Sequence, residues 1–277
     1  MLGKLLKYDI KSMWKMMIPL ILSVLGTTLL GTVALRIATD YQPSGNDPFS
    51  AFFMISLIML IIMSVFALIA FSVITTIFIL YRYYKNLFTD EGYLTFTLPV
   101  TPDQILLSKV INGILWSAVS LLVLGVCAGC MVVFGAGAGF IDSLRDVMHM
   151  LEYTIQTMGL SDWTIWITTG VSVVVSLIQS LLLIYLSITI GSVVAKQHKV
   201  IASIGLYLGI TFGLSIVTTL IRMIPSLYFG MSSSLSYYSA GWTVHFSNWL
   251  NIALSAAIAV GSYLISRSIL KNRVNLS

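Results

Sequence analysis

The residues that could do chemistry are few in this chain: three His, two Cys and ten Asp or Glu among 277 residues. His149, His198 and His245 are far apart and fall in different loops, so they do not read as a metal trio. Cys127 and Cys130 match C-x-x-C in "CAGC", but they lie between Gly125 and Gly129 inside an apolar run. Small thiols in that setting read as packing residues rather than a redox pair. No G-x-x-x-x-G-K-[ST], H-E-x-x-H or G-x-S-x-G occurs, which excludes a nucleotide P-loop, a zincin and a nucleophile elbow. What remains is polar chemistry that positions and docks.

Three sets of residues carry it. In "YRYYKNLFTDEGYLTFTLPVTPDQILLSK", Tyr81–Lys109, Arg82, Lys85, Asp90, Glu91, Asp103 and Lys109 cluster beside Gly92, Pro99 and Pro102. Thr89 can cap a short helix whose first turn holds Asp90 and Glu91 at its positive end. That helix projects Tyr93, Leu94 and Phe96, and Pro99 ends it. Exposed aromatics on a short helix suit a partner's cleft, or packing against the chain's own loops. Thr101-Pro-Asp-Gln104 then starts a new helix, with Thr at N-cap and Pro at N1.

The second set lies in "GLYLGITFGLSIVTTLIR". Gly205, Gly209 and Gly213 recur every four residues and would let another helix approach at backbone distance. Thr211, Ser215, Thr218 and Arg222 form a stripe nearly opposite, which suits a polar cavity or, for Arg222, snorkelling toward water or an anion. Ser64, Ser72 and Thr75 form a weaker candidate cavity stripe, as do Ser23, Thr27 and Gly31. The third set is N-terminal. Lys4, Lys7, Lys11 and Lys15 share one face of a helical wheel, and Leu5, Leu6, Ile10, Met13, Trp14 and Met16 occupy the other. Asp9 falls inside the apolar arc, either as a solvent-reaching carboxylate or paired with Arg82 or Lys85.

The elements that must position these residues are membrane spans. The chain is 58% hydrophobic and only 9% charged, against about 25% charged for a soluble domain. About 20 apolar residues cross the hydrocarbon core as a helix. Long apolar runs predict six spans, at 17–37, 52–80, 106–135, 163–194, 200–223 and 248–267. Residues 1–16 are expected to form an interfacial helix, and 140–158 another at the outer face. The 224–247 stretch is broken by Pro225, Gly230, a Ser run and Gly241, and is expected to sit at or dip into the outer interface. With both termini inside, twelve of the fifteen Lys and Arg fall on the inner side, leaving Arg36, Arg145 and Arg222 outside. The basic balance thus reports orientation, with no nucleic-acid footprint. The expected fold is all-α and integral to the membrane, one transmembrane domain over 1–277.

The string from Arg82 to Lys109, with six spans and an amphipathic N-terminal helix, resembles the permease subunits of bacterial ABC type-2 exporters. Within that class it resembles the permeases of Gram-positive exporters of phenol-soluble-modulin-type peptides or bacteriocins. The resemblance implies that Thr89, Asp90, Glu91, Tyr93, Leu94 and Phe96 belong to a cytoplasmic coupling helix. It implies two copies of a separate ATPase holding ATP and Mg, a second permease protomer, and a re-entrant outer element between spans five and six. It implies no cofactor or catalytic site on this chain, which would sit in the bacterial cytoplasmic membrane with cytoplasmic termini. The cargo would be an amphipathic peptide or a lipophilic drug. A membrane sensor or immunity protein that binds peptides through 140–158 and 224–247 is the alternative. An ion-coupled transporter fits less well, because the spans lack the Asp or Glu that usually carries protons or sodium.

Overall fold

The computed structural model describes residues 2–41, 48–89, 101–135, 137–157, 163–195, 198–231 and 239–272. Its helices are α1 (Leu2–Asp40), α2 (Pro48–Phe88), α3 (Pro102–Cys130), α4 (Gly137–Thr157), α5 (Trp163–Val194), α6 (Lys199–Met231) and α7 (Ser239–Asn272), with a π-helical turn, Met131–Gly135, after α3. Every regular element among the described residues is helical. Six helices are long and apolar enough to cross a membrane: Gly3–Asp40, Pro48–Phe88, Asp103–Gly135, Trp163–Val194, Lys199–Met223 and Val244–Lys271. The chain is an all-α protein of the multi-pass membrane type.

Two boundaries differ from expectation. The amphipathic segment 1–16 and the first span are not separate elements; α1 runs unbroken from Leu2 to Asp40 with Pro19 inside it. Nothing between Met16 and Ile18 stops a helix, and proline inside a span is tolerated when neighbouring groups satisfy the freed backbone. Likewise α6 continues past Pro225 to Met231, and α7 begins at Ser239. The expected irregular stretch 224–247 is therefore helical on both sides, and its middle, 232–238, lies outside the described residues. The expected outer helix at 140–158 corresponds to α4, whose Val147, Met148, Met150, Leu151 and Tyr153 are exposed.

The helices fall into two compact units. One comprises Gly3–Ile79 and Ile111–Met150. Its core is Val24, Phe71 and Cys127, flanked by Leu20, Ile21, Leu68 and Leu124. Two glycines set its close approaches. A Cβ at Gly31 would collide with the Ser64 side chain, and one at Gly135 would lie 2.8 Å from Leu35 Cδ2. Thr28 Oγ1 donates to the Val24 carbonyl at 2.8 Å and lies 3.6 Å from Cys127 Sγ, so its hydroxyl stays satisfied in an apolar core. Asn112 Nδ2 donates to Met13 Sδ at 3.0 Å, and Trp14 meets Trp116 edge-on at 6.2 Å.

The other unit comprises Met1–Leu2, Leu80–Val110 and Leu151–Ser277. Within it α5 is central and packs against both α6 and α7. Gly191 of α5 and Ser203 of α6 touch so closely that an added Cβ would overlap the Ser203 backbone. Backbones approach this way where helices pack through small residues in lipid.

Candidate functional site

The charged and aromatic segment between α2 and α3 is bounded by two threonines. Asp90, Glu91, Tyr93, Leu94 and Phe96 lie outside the described residues. Thr89 is described, and its hydroxyl donates to the Lys85 carbonyl at 2.5 Å, closing the last turn of α2. At the other boundary the Thr101 carbonyl accepts from the Gln104 N–H at 3.0 Å, and its hydroxyl accepts from the same N–H at 3.4 Å. Thr101 thus caps α3, with Pro102 at the first helical position where a missing N–H does no harm.

Beneath these ends α2, α3 and α5 are locked together. The last turns of α2 bury Tyr83 and Leu87, the first turns of α3 bury Ile105, Leu106 and Ser108, and α5 buries Tyr185, Leu186 and Thr189. The Tyr83 and Tyr185 rings stack with centroids 3.9 Å apart, and their exposures are 1% and 2%. Buried phenols need hydrogen-bond partners, and both have one. Tyr83 Oη lies 2.9 Å from Thr189 Oγ1. Because the Thr189 hydroxyl already donates to the Tyr185 carbonyl at 2.8 Å, Tyr83 is the donor. Tyr185 Oη donates to the Lys109 carbonyl of α3 at 3.4 Å. A fourth helix joins through a fork: Arg267 of α7 meets Asp103 of α3, Nε to Oδ1 at 2.5 Å and Nη2 to Oδ2 at 2.7 Å. Bidentate pairing of this kind fixes geometry as well as charge.

A polar seam runs between α5 and α7, and the sequence reading missed it. Thr164 Oγ1 lies 3.1 Å from His245 Nε2. Asn248 Nδ2 donates to Thr169 Oγ1 at 2.8 Å and to Thr168 Oγ1 at 3.3 Å. Ser176 and Ser255 hydroxyls are 3.5 Å apart, and Ser255 donates to Asn251 Oδ1 at 3.4 Å. Arg222 of α6 joins this seam, with Nη2 donating to Asn251 Oδ1 at 2.5 Å. The signal was present as hydroxyls at 164, 168, 172 and 176 opposite Asn248, Asn251 and Ser255, each series at helical spacing.

The candidate cavity residues are divided between the two units, Ser64, Ser72 and Thr75 in one and Thr211, Ser215, Thr218 and Arg222 in the other. Ser64 is buried against Gly31 and donates to the Ile61 carbonyl at 2.7 Å; Ser72 is exposed. Thr75 is buried, its hydroxyl without a hydrogen-bond partner among the described residues. Thr211 and Ser215 line a shallow groove of about 590 Å³ on α6 with Tyr207, Leu208, Gly209 and Phe212. Ser215 and Thr218 donate to their own helix, at 2.8 Å to the Phe212 and Leu214 carbonyls respectively, as helical hydroxyls in apolar surroundings do. Gly205, Gly209 and Gly213 were expected to admit a neighbouring helix. Nothing lies within 4 Å of the position a Cβ would take at any of them.

At the N-terminus Lys4, Lys7, Lys11 and Lys15 are exposed, while Asp9 is buried to 6% exposure rather than reaching solvent. Cys127 and Cys130 are both free. No group of three His, Cys, Asp or Glu among the described residues could hold a metal ion. No protein-family model matches the chain, and neither does any curated protein or solved structure.

Proposed function

We propose that the chain is the membrane-spanning permease subunit of an ATP-driven exporter of the ABC type-2 class, moving amphipathic peptides or lipophilic drugs outward across a bacterial cytoplasmic membrane. One observation carries the reading. The two helix ends that flank the acidic and aromatic sequence 90–100 are locked, through Tyr83, Tyr185 and the Lys109 carbonyl, onto the central helix of their unit. Helix ends held that way can pass a push to the bundle, whereas loose ends would absorb it.

The supporting points are chemical. Six helices are apolar enough to span, yet the chain has no phosphate-cradling loop. Energy would then come from a separate ATPase that holds ATP and Mg. Thr89, Asp90, Glu91, Tyr93, Leu94 and Phe96 would form the coupling helix in that partner's cleft, once per protomer of a permease pair. Twelve of the fifteen basic side chains would lie on the cytoplasmic side with both termini. The end of α6 and the start of α7 would form the outer, re-entrant element. ATP-driven closure of the ATPases shifts the population of spans between inward- and outward-facing arrangements.

The test is affinity purification of the tagged chain in mild detergent, followed by an ATPase assay of what accompanies it. Co-purification of a P-loop ATPase is expected, and replacing Glu91 and Tyr93 together with Ala should abolish its cargo stimulation while the protein stays folded. Full stimulation in that double variant removes the docking role. Peptide binding without any ATPase would favour the sensor or immunity reading, to which the exposed apolar side chains of α4 lend support.

A further inference from the structure

Among the described residues, six buried polar atoms lack a hydrogen-bond partner: Thr75 Oγ1, Arg82 Nε, Asn112 Oδ1, Trp116 Nε1, Thr211 Oγ1 and Ser266 Oγ. The hydroxyls have a ready remedy, since a Ser or Thr side chain on a helix can rotate onto a carbonyl of the preceding turn, as those of Thr28, Thr32 and Ser64 do. Arg82 is only partly buried, so its guanidinium can draw on water. Asn112 and Trp116 have neither remedy. They are 4% and 3% exposed. An indole nitrogen is a donor only, and the rigid ring carries its N–H away from the carbonyls of its own helix. Asn112 Nδ2 donates to Met13 Sδ at 3.0 Å, a weak acceptor, and its Oδ1 accepts nothing. Turning that amide over would set its oxygen against the sulfur and leave its N–H groups unpaired instead.

The two unpaired atoms belong to one contact. Asn112 and Trp116 stand one turn apart on α3, so their side chains are neighbours on one face. They meet consecutive residues of α1: Asn112 touches Met13, and Trp116 meets Trp14 edge-on with ring centroids 6.2 Å apart. One unpaired atom is an acceptor and the other a donor. A molecule that satisfies both must donate to Asn112 Oδ1 and accept from the Trp116 N–H, which a hydroxyl does. Cβ atoms four residues apart on a helix lie about 5–6 Å from each other. One oxygen reaching about 2.9 Å to each side spans that gap. Both atoms are closed to solvent, which favours the smallest hydroxylic molecule, water. Buried polar groups that the protein leaves unpaired are where ordered water is held.

We propose that Asn112 Oδ1 and Trp116 Nε1 hold a buried water molecule at the contact between α1 and α3. The water accepts the indole hydrogen and donates one of its own to the carboxamide oxygen. It completes the polar side of a joint whose other contacts, Met13 with Asn112 and Trp14 with Trp116, fasten the lysine-bearing start of α1 to α3. The site is independent of the transport reading.

The experiment is solution NMR on the full chain in deuterated detergent micelles, with isotope-labelled indole nitrogens. The chain has six tryptophans, and Trp116→Phe identifies the Trp116 signal. The expected result is a dipolar cross-peak between the Trp116 indole proton and water, lost in Asn112→Leu while the remaining indole signals persist. No water cross-peak in the native chain overturns the site, and that result needs no variant. An upfield-shifted indole proton whose shift disappears in Trp14→Leu would give the hydrogen to the Trp14 ring and overturn the site as well. Cross-peaks to alkyl protons of protonated detergent, in place of the water cross-peak, would assign the site to an amphiphile and overturn the water. A water cross-peak that persists in folded Asn112→Leu removes Asn112 from the site and overturns the bridge. Should Asn112→Leu not fold, Asn112→Asp keeps an acceptor oxygen and should keep the cross-peak, and its loss there overturns the bridge.

Discussion

The aromatic rings of Tyr83 and Tyr185 lie 3.9 Å apart and within 4° of parallel, joining the end of α2 to the middle of the α2–α3–α5 cluster. Both hydroxyls are bonded, so the pair is a rigid block rather than two greasy plugs. Tyr185→Leu should remove the stack and the bond to Lys109 together. Deleting a buried aromatic in this way costs about 3–5 kcal/mol, read as a lower midpoint in detergent unfolding. Tyr83→Phe keeps the ring and loses only the bond to Thr189, for about 1 kcal/mol. Equal effects of the two would mean that the stack itself contributes nothing.

The glycines of α5 and α6 should behave oppositely. Gly191→Ala forces a Cβ into the Ser203 backbone, and such overpacking costs about 1–3 kcal/mol. Gly209→Ala meets nothing within 4 Å and should be neutral, or stabilising by up to about 1 kcal/mol through helix propensity. Thermal midpoints of the two variants, purified side by side, make the comparison. A strongly destabilised Gly209→Ala would show that another chain covers that face.

Exchanging charges across the fork gives a third outcome. Arg267→Asp alone sets two carboxylates facing each other at the start of α3 and should destabilise, whereas Asp103→Arg with Arg267→Asp should recover most of the loss. Both side chains are close to half exposed, so the pair is worth about 1 kcal/mol or less and weakens as salt rises. No recovery in the double variant, measured at low ionic strength, would mean that the fork does not join α3 to α7.

In the seam, Asn248→Ala removes two hydrogen bonds to α5 and should cost about 0.5–1.5 kcal/mol, the range found for interhelical bonds in membranes. Thr169→Val deletes the nearer partner, and the combined variant should cost little more than Asn248→Ala alone. Strict additivity in this double-mutant cycle would show that the two side chains are not coupled.

Local signals carried further than one might expect for so apolar a chain. Hydropathy picked out the six helices that are long and apolar enough to cross a bilayer, because crossing demands length and apolarity and little else. The Thr101-Pro102 start of α3 was legible because capping is settled within a few residues. The same local view placed a break near residue 16 and irregularity after Pro225, where α1 and α6 run on. Of the candidate cavity residues, Ser64 is packed against Gly31 in one unit and Thr211 lines a groove on α6 in the other.

Composition, charge distribution, the number of long apolar helices and the Thr101–Pro102 start of α3 were determined by the sequence on its own. Only the tertiary structure decided that Tyr83 meets Thr189 across 106 residues, that Asn248 meets Thr169, and that Gly191 rather than Gly209 is a close approach. The physical reason lies in the solvent. A water-soluble helix announces its packing face as an apolar stripe, but a helix apolar on all sides has no such contrast. In lipid, which face packs is decided by shape, small residues and paired polar groups, and those become visible only once the helices are side by side.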